Sequence, residues 1–221
     1  MIIYNISSYN RPIGLVNAIR SVINQCDFIN VSLNSYTHIP EELCNNNKIR
    51  ILITDNQYGD AYKFSEFIHS SGYYFTIDDD IIYPPDYTDF MISNVEKYNR
   101  RSIITLHGRN YKKFPIKSFT EKAEVFHFKT KVESDKVVHI GGTGVMCIHT
   151  DLCRIPLEYF KCPNMADIWV AKWASEHKID IVCVKHNKNY LTPQISEGDT
   201  IYSNTVKNNQ MQTNVINSLF I

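Results

Sequence analysis

Apolar residues in this chain follow two rhythms. Ile2 to Ser7, Phe28 to Leu33, Ile49 to Thr54 and Tyr73 to Ile77 are short runs of the β-branched and aromatic residues that strands favour. Ile13, Val16, Ile19, Val22 and Ile23 instead recur at helical spacing, behind an Asn10-Arg11-Pro12 loop whose proline suits a first helical turn. Gly59 to Ser70, with Ala61, Phe64, Phe67 and Ile68 on one side, and Asp86 to Tyr98 read as further helices. Strands alternating with helices predict an α/β fold: Rossmann-like βα repeats on a mostly parallel mixed sheet, helices on both faces, and ligands at the strand C-terminal ends.

The second half has a different pattern. Ser102 to His107 reads as a strand, and Gly108 to Lys122 is polar, basic and patternless. Val125 to Lys131 and Lys136 to Ile140 resemble a hairpin around Glu133-Ser134-Asp135. Gly141-Gly142-Thr143-Gly144 leads into a strand from Val145 to His149, Pro163 to Glu176 reads as a helix, and Ile179 to Val184 as the last strand. From Thr192 the tail is rich in Asn, Gln, Ser and Thr, with only Val215 to Ile221 apolar enough to dock. With 221 residues, no repeat and no linker, the expectation is one domain over 1–221, residues 1–100 forming one half and 101–221 the other.

The formal charge is zero, so no global field favours nucleic acid, and phosphate recognition must be local. Six cysteines without a C-x-x-C pair argue against a zinc cluster or disulfide scaffold, and Cys147 and Cys183 fall in apolar runs where a small buried hydrophobe fits. No stretch approaches the roughly 20 apolar residues of a membrane span, and Met1 to Ile6 reads as a strand rather than a signal peptide. A cytoplasmic protein with reduced thiols is expected.

The densest chemistry is Asp78-Asp79-Asp80, at the end of a run that has been apolar for several residues. Adjacent carboxylates repel and need a compensating cation. Alternation along a strand lets Asp78 and Asp80 face the same way, and hard carboxylate oxygens suit magnesium or manganese shared with substrate phosphates. The loop Ser7-Ser8-Tyr9-Asn10-Arg11-Pro12 precedes a helix N-terminus, where free N–H groups favour phosphate and Tyr9 can stack on a base.

Three segments taken together, Ile6-Ser7-Ser8-Tyr9-Asn10-Arg11-Pro12, Asn56-x-x-Gly59-Asp60-Ala61-x-Lys63-Phe64 and Tyr74-Phe75-Thr76-Ile77-Asp78-Asp79-Asp80, resemble nucleotide-sugar glycosyltransferases of the GT-A type, especially family 2. The resemblance covers roughly the first 100 residues closely. It implies donor contacts from Ser8, Tyr9, Arg11, Asn34, Asn56, Lys63, Asp78 and Asp79, and a Mn2+ or Mg2+ ion on Asp78 and Asp80. Asn34 departs from the aspartate that such enzymes often place after the second strand; an amide can still bond a uracil edge. The resemblance further implies a general base at Asp167, in Asn164-Met165-Ala166-Asp167-Ile168-Trp169, kept ionised by its first-turn position, and a histidine completing the metal or diphosphate site at His186. His107 is a further possible site residue; His139 and His149 fit packing or surface positions.

The implied activity is metal-dependent transfer of a sugar from a nucleoside diphosphate, UDP favoured, to a glycan or lipid-linked glycan, with inversion if Asp167 is the base. Abundant Asn, Ile, Lys and Tyr suggest an AT-rich genome and a bacterial or viral surface-polysaccharide pathway. Two alternatives stand beside it: a nucleotidyltransferase acting on sugar phosphates, which would carry a glycine-rich basic loop after the first strand, and a non-catalytic sugar-nucleotide-binding module. Arg109 to Lys117 is either a solvated loop or a segment that orders over the donor or meets an anionic acceptor or membrane surface, peripherally.

Overall fold

The computed structural model describes residues 1–194 and 209–219. Residues 195–208 of the polar tail and the last two residues of the predicted docking segment lie outside them. In the first half the predicted strands and two of the three predicted helices form, with a short unpredicted β5: β1 (Ile2–Tyr9), α1 (Pro12–Val22), β2 (Phe28–Asn34), β3 (Ile49–Thr54), β4 (Tyr73–Ile77), β5 (Ile81–Ile82) and α2 (Tyr87–Lys97). The second half adds β6 (Ser102–Thr105), β7 (Gly108–Tyr111), β8 (Ala123–Phe126), β9 (Lys136–Val138), β10 (Ile140–Gly141), β11 (Val145–His149), α3 (Ala166–Glu176), β12 (Asp180–Cys183), β13 (Thr192–Pro193) and α4 (Gln210–Asn217).

Eight strands form one mostly parallel sheet in the order β3-β2-β1-β4-β11-β6-β12-β9. The two halves of the chain meet at its centre, where β11 runs antiparallel to β4 with Val145 opposite Ile77. Side-chain alternation divides the core cleanly between the two faces. Tyr4, Ile6, Phe75, Ile77, Val145, Cys147 and Val182 pack with α1 and α2, whereas Tyr74, Met146, Ile148, Ile181 and Cys183 pack with α3 and Ile216 of α4. Burying each such side chain stabilises the fold by roughly 1.5–3 kcal/mol.

The chain leaves β1 for β2 and β3 on one side and returns to β4 on the other. The ends of β1 and β4 therefore flank a crevice, the place where open α/β sheets bind ligands.

Four expectations change. Gly59 to Ser70 is not an α-helix but two 310 segments, Gly59–Phe64 and Phe67–His69. Ala61, Phe64 and Phe67 are spaced by three, so a three-residue turn buries all of them, and Ile68 is left exposed. The expected hairpin does not form, because β8 pairs with β7 in a separate three-stranded sheet while β9 joins β12 in the large one. Gly108 to Lys122 contains that strand β7, and its pairing with β10 and β8 is a tertiary contact with no local signal. Finally, β12 is not the last strand, since Thr192 and Pro193 pair with β5 just beyond the aspartates.

The basic segment is held by the C-terminal helix. Asn217 bonds both backbone groups of Ile116, and the Phe119 N–H donates to Thr213 Oγ1. Among the described residues no helix is long and apolar enough to cross a membrane.

Candidate active site

The acidic triplet lies just past β4, and alternation persists through it: the Asp79 side chain is 8% exposed, against 40% for Asp78 and 38% for Asp80. Asp79 turns towards β1. It accepts from Ser8 Oγ (2.6 Å) and Arg11 Nη1 (3.3 Å), while Tyr36 Oη meets Ser8 Oγ and accepts from the Arg11 N–H. Gly14 makes this approach possible, because a Cβ there would stand 2.6 Å from the Asp79 carbonyl oxygen. Ser8 and Arg11 are thereby held at the N-terminus of α1, whose first turn has no side-chain cap and no acidic residue. Tyr9 is exposed at the same mouth.

Asp78 turns the other way, to an ion pair with the buried ammonium of Lys63. Burial alone would lower the Lys63 pKa, but Asp78, Asp60 and Asp167 outweigh it and hold the group charged. Asp60 accepts from the Ala166 N–H (3.3 Å) and so caps α3, the helix that carries Asp167 in its first turn. Burial pushes the Asp60 carboxyl up to about 7 and, with the neighbouring Asp78 and Asp79 charges, Asp80 up to about 6. Asp167 is also raised, by burial against the opposing pull of its bonds to Thr143.

One loop joins these groups. The Gly142 N–H donates to the His107 carbonyl (2.8 Å), Thr143 N and Oγ1 donate to Asp167 Oδ1 (2.7 and 2.5 Å), and Gly144 packs so tightly on Asp78 that a Cβ would overlap its carboxylate. Tyr83, fully buried, anchors the loop by accepting from the Asp78 N–H (2.9 Å) and donating to the Gly144 carbonyl (2.6 Å). Tyr83→Phe leaves both buried backbone groups unpaired, so a loss of about 1–3 kcal/mol is expected in urea unfolding.

The remaining sequence candidates are placed as follows. Asn34 is buried, with Nδ2 donating to Ser7 Oγ and the Gly59 carbonyl and Oδ1 accepting from Thr54 Oγ1. Its amide is engaged in positioning the Gly59 turn rather than presented to a base. Asn56 holds the turn after β3 in the left-handed region (φ 67°). His186 stands where Val132 bridges to it, with Nδ1 donating to the Val184 carbonyl (2.8 Å) and Nε2 facing the His127 carbonyl (3.5 Å), and among the described residues neither nitrogen bonds to an aspartate. His139 and His149 pack on Phe114 and Tyr73.

Sequence reasoning missed the roles of Asp60, Tyr36, Tyr83 and Thr143. Only Asp60 had a signal, its place in the Gly59-Asp60-x-x-Lys63 turn; the others reach the site across the sheet.

Among the described residues no three His, Cys, Asp or Glu side chains form a preassembled metal cage. The donor set nonetheless suits a hard divalent ion. Five carboxyls (Asp60, Asp78, Asp79, Asp80, Asp167) face two cations (Lys63, Arg11), and the two most exposed, Asp78 and Asp80, face the crevice together.

No protein-family model and no curated protein matches this chain. Among solved structures it is similar to CMP:2-keto-3-deoxy-manno-octonic acid synthetase complexed with CTP, with a TM-score of 0.54 at 10% identity over 96% of this chain and 98% of that one. At that identity the likeness is one of fold: a large mostly parallel sheet flanked by helices.

Proposed function

We propose that this chain is a metal-dependent glycosyltransferase that moves a sugar from a nucleoside diphosphate, UDP favoured, to a hydroxyl of a glycan or lipid-linked glycan. The observation that carries the reading is the convergence of two acidic groups on one crevice: the aspartate triplet at the end of β4 and Asp167 at the start of α3, linked through Lys63 and Thr143.

Asp78 and Asp80 would hold Mn2+ or Mg2+, and the ion would offset charge developing on the leaving diphosphate. Arg11 and the uncapped start of α1 face the same phosphates. Tyr9 offers a ring to the base. Asp167 takes the proton of the acceptor hydroxyl as it attacks the anomeric carbon: Oδ1 is held by Thr143, and Oδ2 makes no hydrogen bond among the described residues. One base opposite one leaving group gives inversion. Burial suits the task, because a base works best with a pKa drawn towards neutrality.

A second reading, a nucleotidyltransferase acting on a sugar phosphate, is favoured by the likeness to a synthetase in complex with CTP. Against it stands the turn after β1, where only Asn10 and Arg11 separate the strand from α1. That is too short for a glycine-rich triphosphate loop.

Calorimetric titration of UDP, GDP, CDP and CTP, with manganese and with chelator, separates the readings. Metal-dependent binding of one nucleoside diphosphate, lost on chelation, is the expected result. Preference for CTP, with pyrophosphate released on adding a sugar phosphate, would establish the second reading instead.

A further inference from the structure

His107 has no hydrogen-bonding partner at either ring nitrogen among the described residues, and its Nδ1 is sealed from solvent. Buried polar nitrogens are ordinarily paired, and leaving one unmet costs about 1–3 kcal/mol, so an arrangement of this kind calls for a reason. The ring is fixed by apolar contact: edge-on to His127 at 4.8 Å and to Phe128 at 6.1 Å, with the Gly142 backbone so close that a Cβ there would lie 2.9 Å from His107 Cβ. Nε2 is left as the one nitrogen open to a ligand.

Its position says which part of the ligand it meets. Gly142, Thr143 and Gly144 touch, in order, His107, Asp167 and Asp78. His107 thus stands at one end of a loop that also touches the carboxylate assigned to the acceptor and the one assigned to the diphosphate metal, and in a sugar nucleotide the sugar lies along that stretch.

We infer that His107 is a specificity-determining residue, its Nε2 hydrogen-bonding a hydroxyl of the transferred sugar while the His107, His127 and Phe128 rings form an apolar wall beside it. This rests on the glycosyltransferase reading. Burial and the neighbouring His127 and Arg109 lower the His107 pKa to about 3, so the imidazole is neutral. With Nδ1 sealed, Nε2 makes the one available bond, as donor or as acceptor according to the tautomer, and a hydroxyl can answer either.

The test is the ratio of sugar-nucleotide to nucleotide affinity, measured with manganese by calorimetry using UDP, GDP and CDP beside UDP-glucose, UDP-galactose, UDP-N-acetylglucosamine and GDP-mannose, in wild type and His107→Phe. Phe keeps the edge contacts and removes both nitrogens. The expected result is a roughly tenfold fall in the ratio with the melting temperature unchanged or higher, since an unpaired buried nitrogen has gone. A purely structural histidine would give the opposite: a lower melting temperature and an unchanged ratio, which overturns the inference. A change confined to the KM for the acceptor overturns it too. Should the Phe variant fail to fold, His107→Leu carries the same two expectations. Failure of every nucleotide to bind wild-type protein removes the glycosyltransferase reading and this inference together, whereas nucleotide binding with an unaltered ratio removes this inference alone.

Discussion

Asp167→Asn lowers the rate of sugar transfer by roughly 10^2–10^4-fold, the contribution of a positioned general base, while metal-dependent nucleotide binding persists. The substitution is nearly isosteric. The amide oxygen can still accept from Thr143 N and Oγ1, so the loop that orders Gly144 against Asp78 is preserved. What disappears is the basic oxygen facing the acceptor. Single-turnover measurement with the identified donor checks this, and an Asn variant that retains wild-type rate would reassign the base, with the adjacent carboxyl of Asp60 the next candidate. The pH profile carries a matching sign. Asp167 and Asp80 act as carboxylates in the proposed reaction, both are raised, and Asp80 lies at about 6, so donor binding and turnover at limiting manganese fall as pH drops through that region. Added manganese moves the fall to lower pH by competing with protons for Asp80.

Lys63→Met destabilises the protein by about 3 kcal/mol at pH 8, at the lower end of the range for breaking a buried ion pair because the Asp78 partner is 40% exposed. Among the described residues the lysine is the buried cation facing Asp60, Asp78 and Asp167, so its loss leaves three carboxyls opposing one another in low dielectric. The deficit shrinks in acid. Asp60 is already raised to about 7 and rises further without the ammonium, so in the folded variant it holds its proton while the unfolded chain releases one above pH 4. Stability contributed by that raised pKa is present at low pH and lost as pH rises through 7. Urea denaturation at pH 5 and pH 8 reads the difference directly; an equal deficit at both would mean that Lys63 acts by packing alone. Divalent metal partly rescues the variant by supplying charge to Asp78.

How much of this was legible in advance depends on the range of the interaction. Helix α1 followed from five apolar positions and a proline, and β3 and β4 appear with the bounds their apolar runs predict, because burial on a sheet is written into period-two alternation. The acidic triplet declared itself locally, since three adjacent carboxylates after an apolar strand have few stable environments. Even the division within it was readable: alternation separates Asp79 from Asp78 and Asp80.

Pairings across the sheet were not readable. The segment from Val125 to Ile140 has hairpin character, yet β8 pairs with β7 and β9 with β12, in different sheets. Asn34 shows the same limit at one residue. Its position after β2 suggested a base contact, and only the fold reveals Ser7, Gly59 and Thr54 within bonding distance of its amide.

The sequence by itself determined the α/β class and the acidic cluster at the end of β4, since each depends on neighbours within a few residues of one another. The tertiary structure alone decided which cation meets which carboxylate, how the Gly142-Thr143-Gly144 loop links His107, Asp167 and Asp78, and that Asp60 caps the helix of Asp167. Those contacts join residues up to about a hundred positions apart, and nothing in local propensity or spacing records which surfaces the folded sheet brings together.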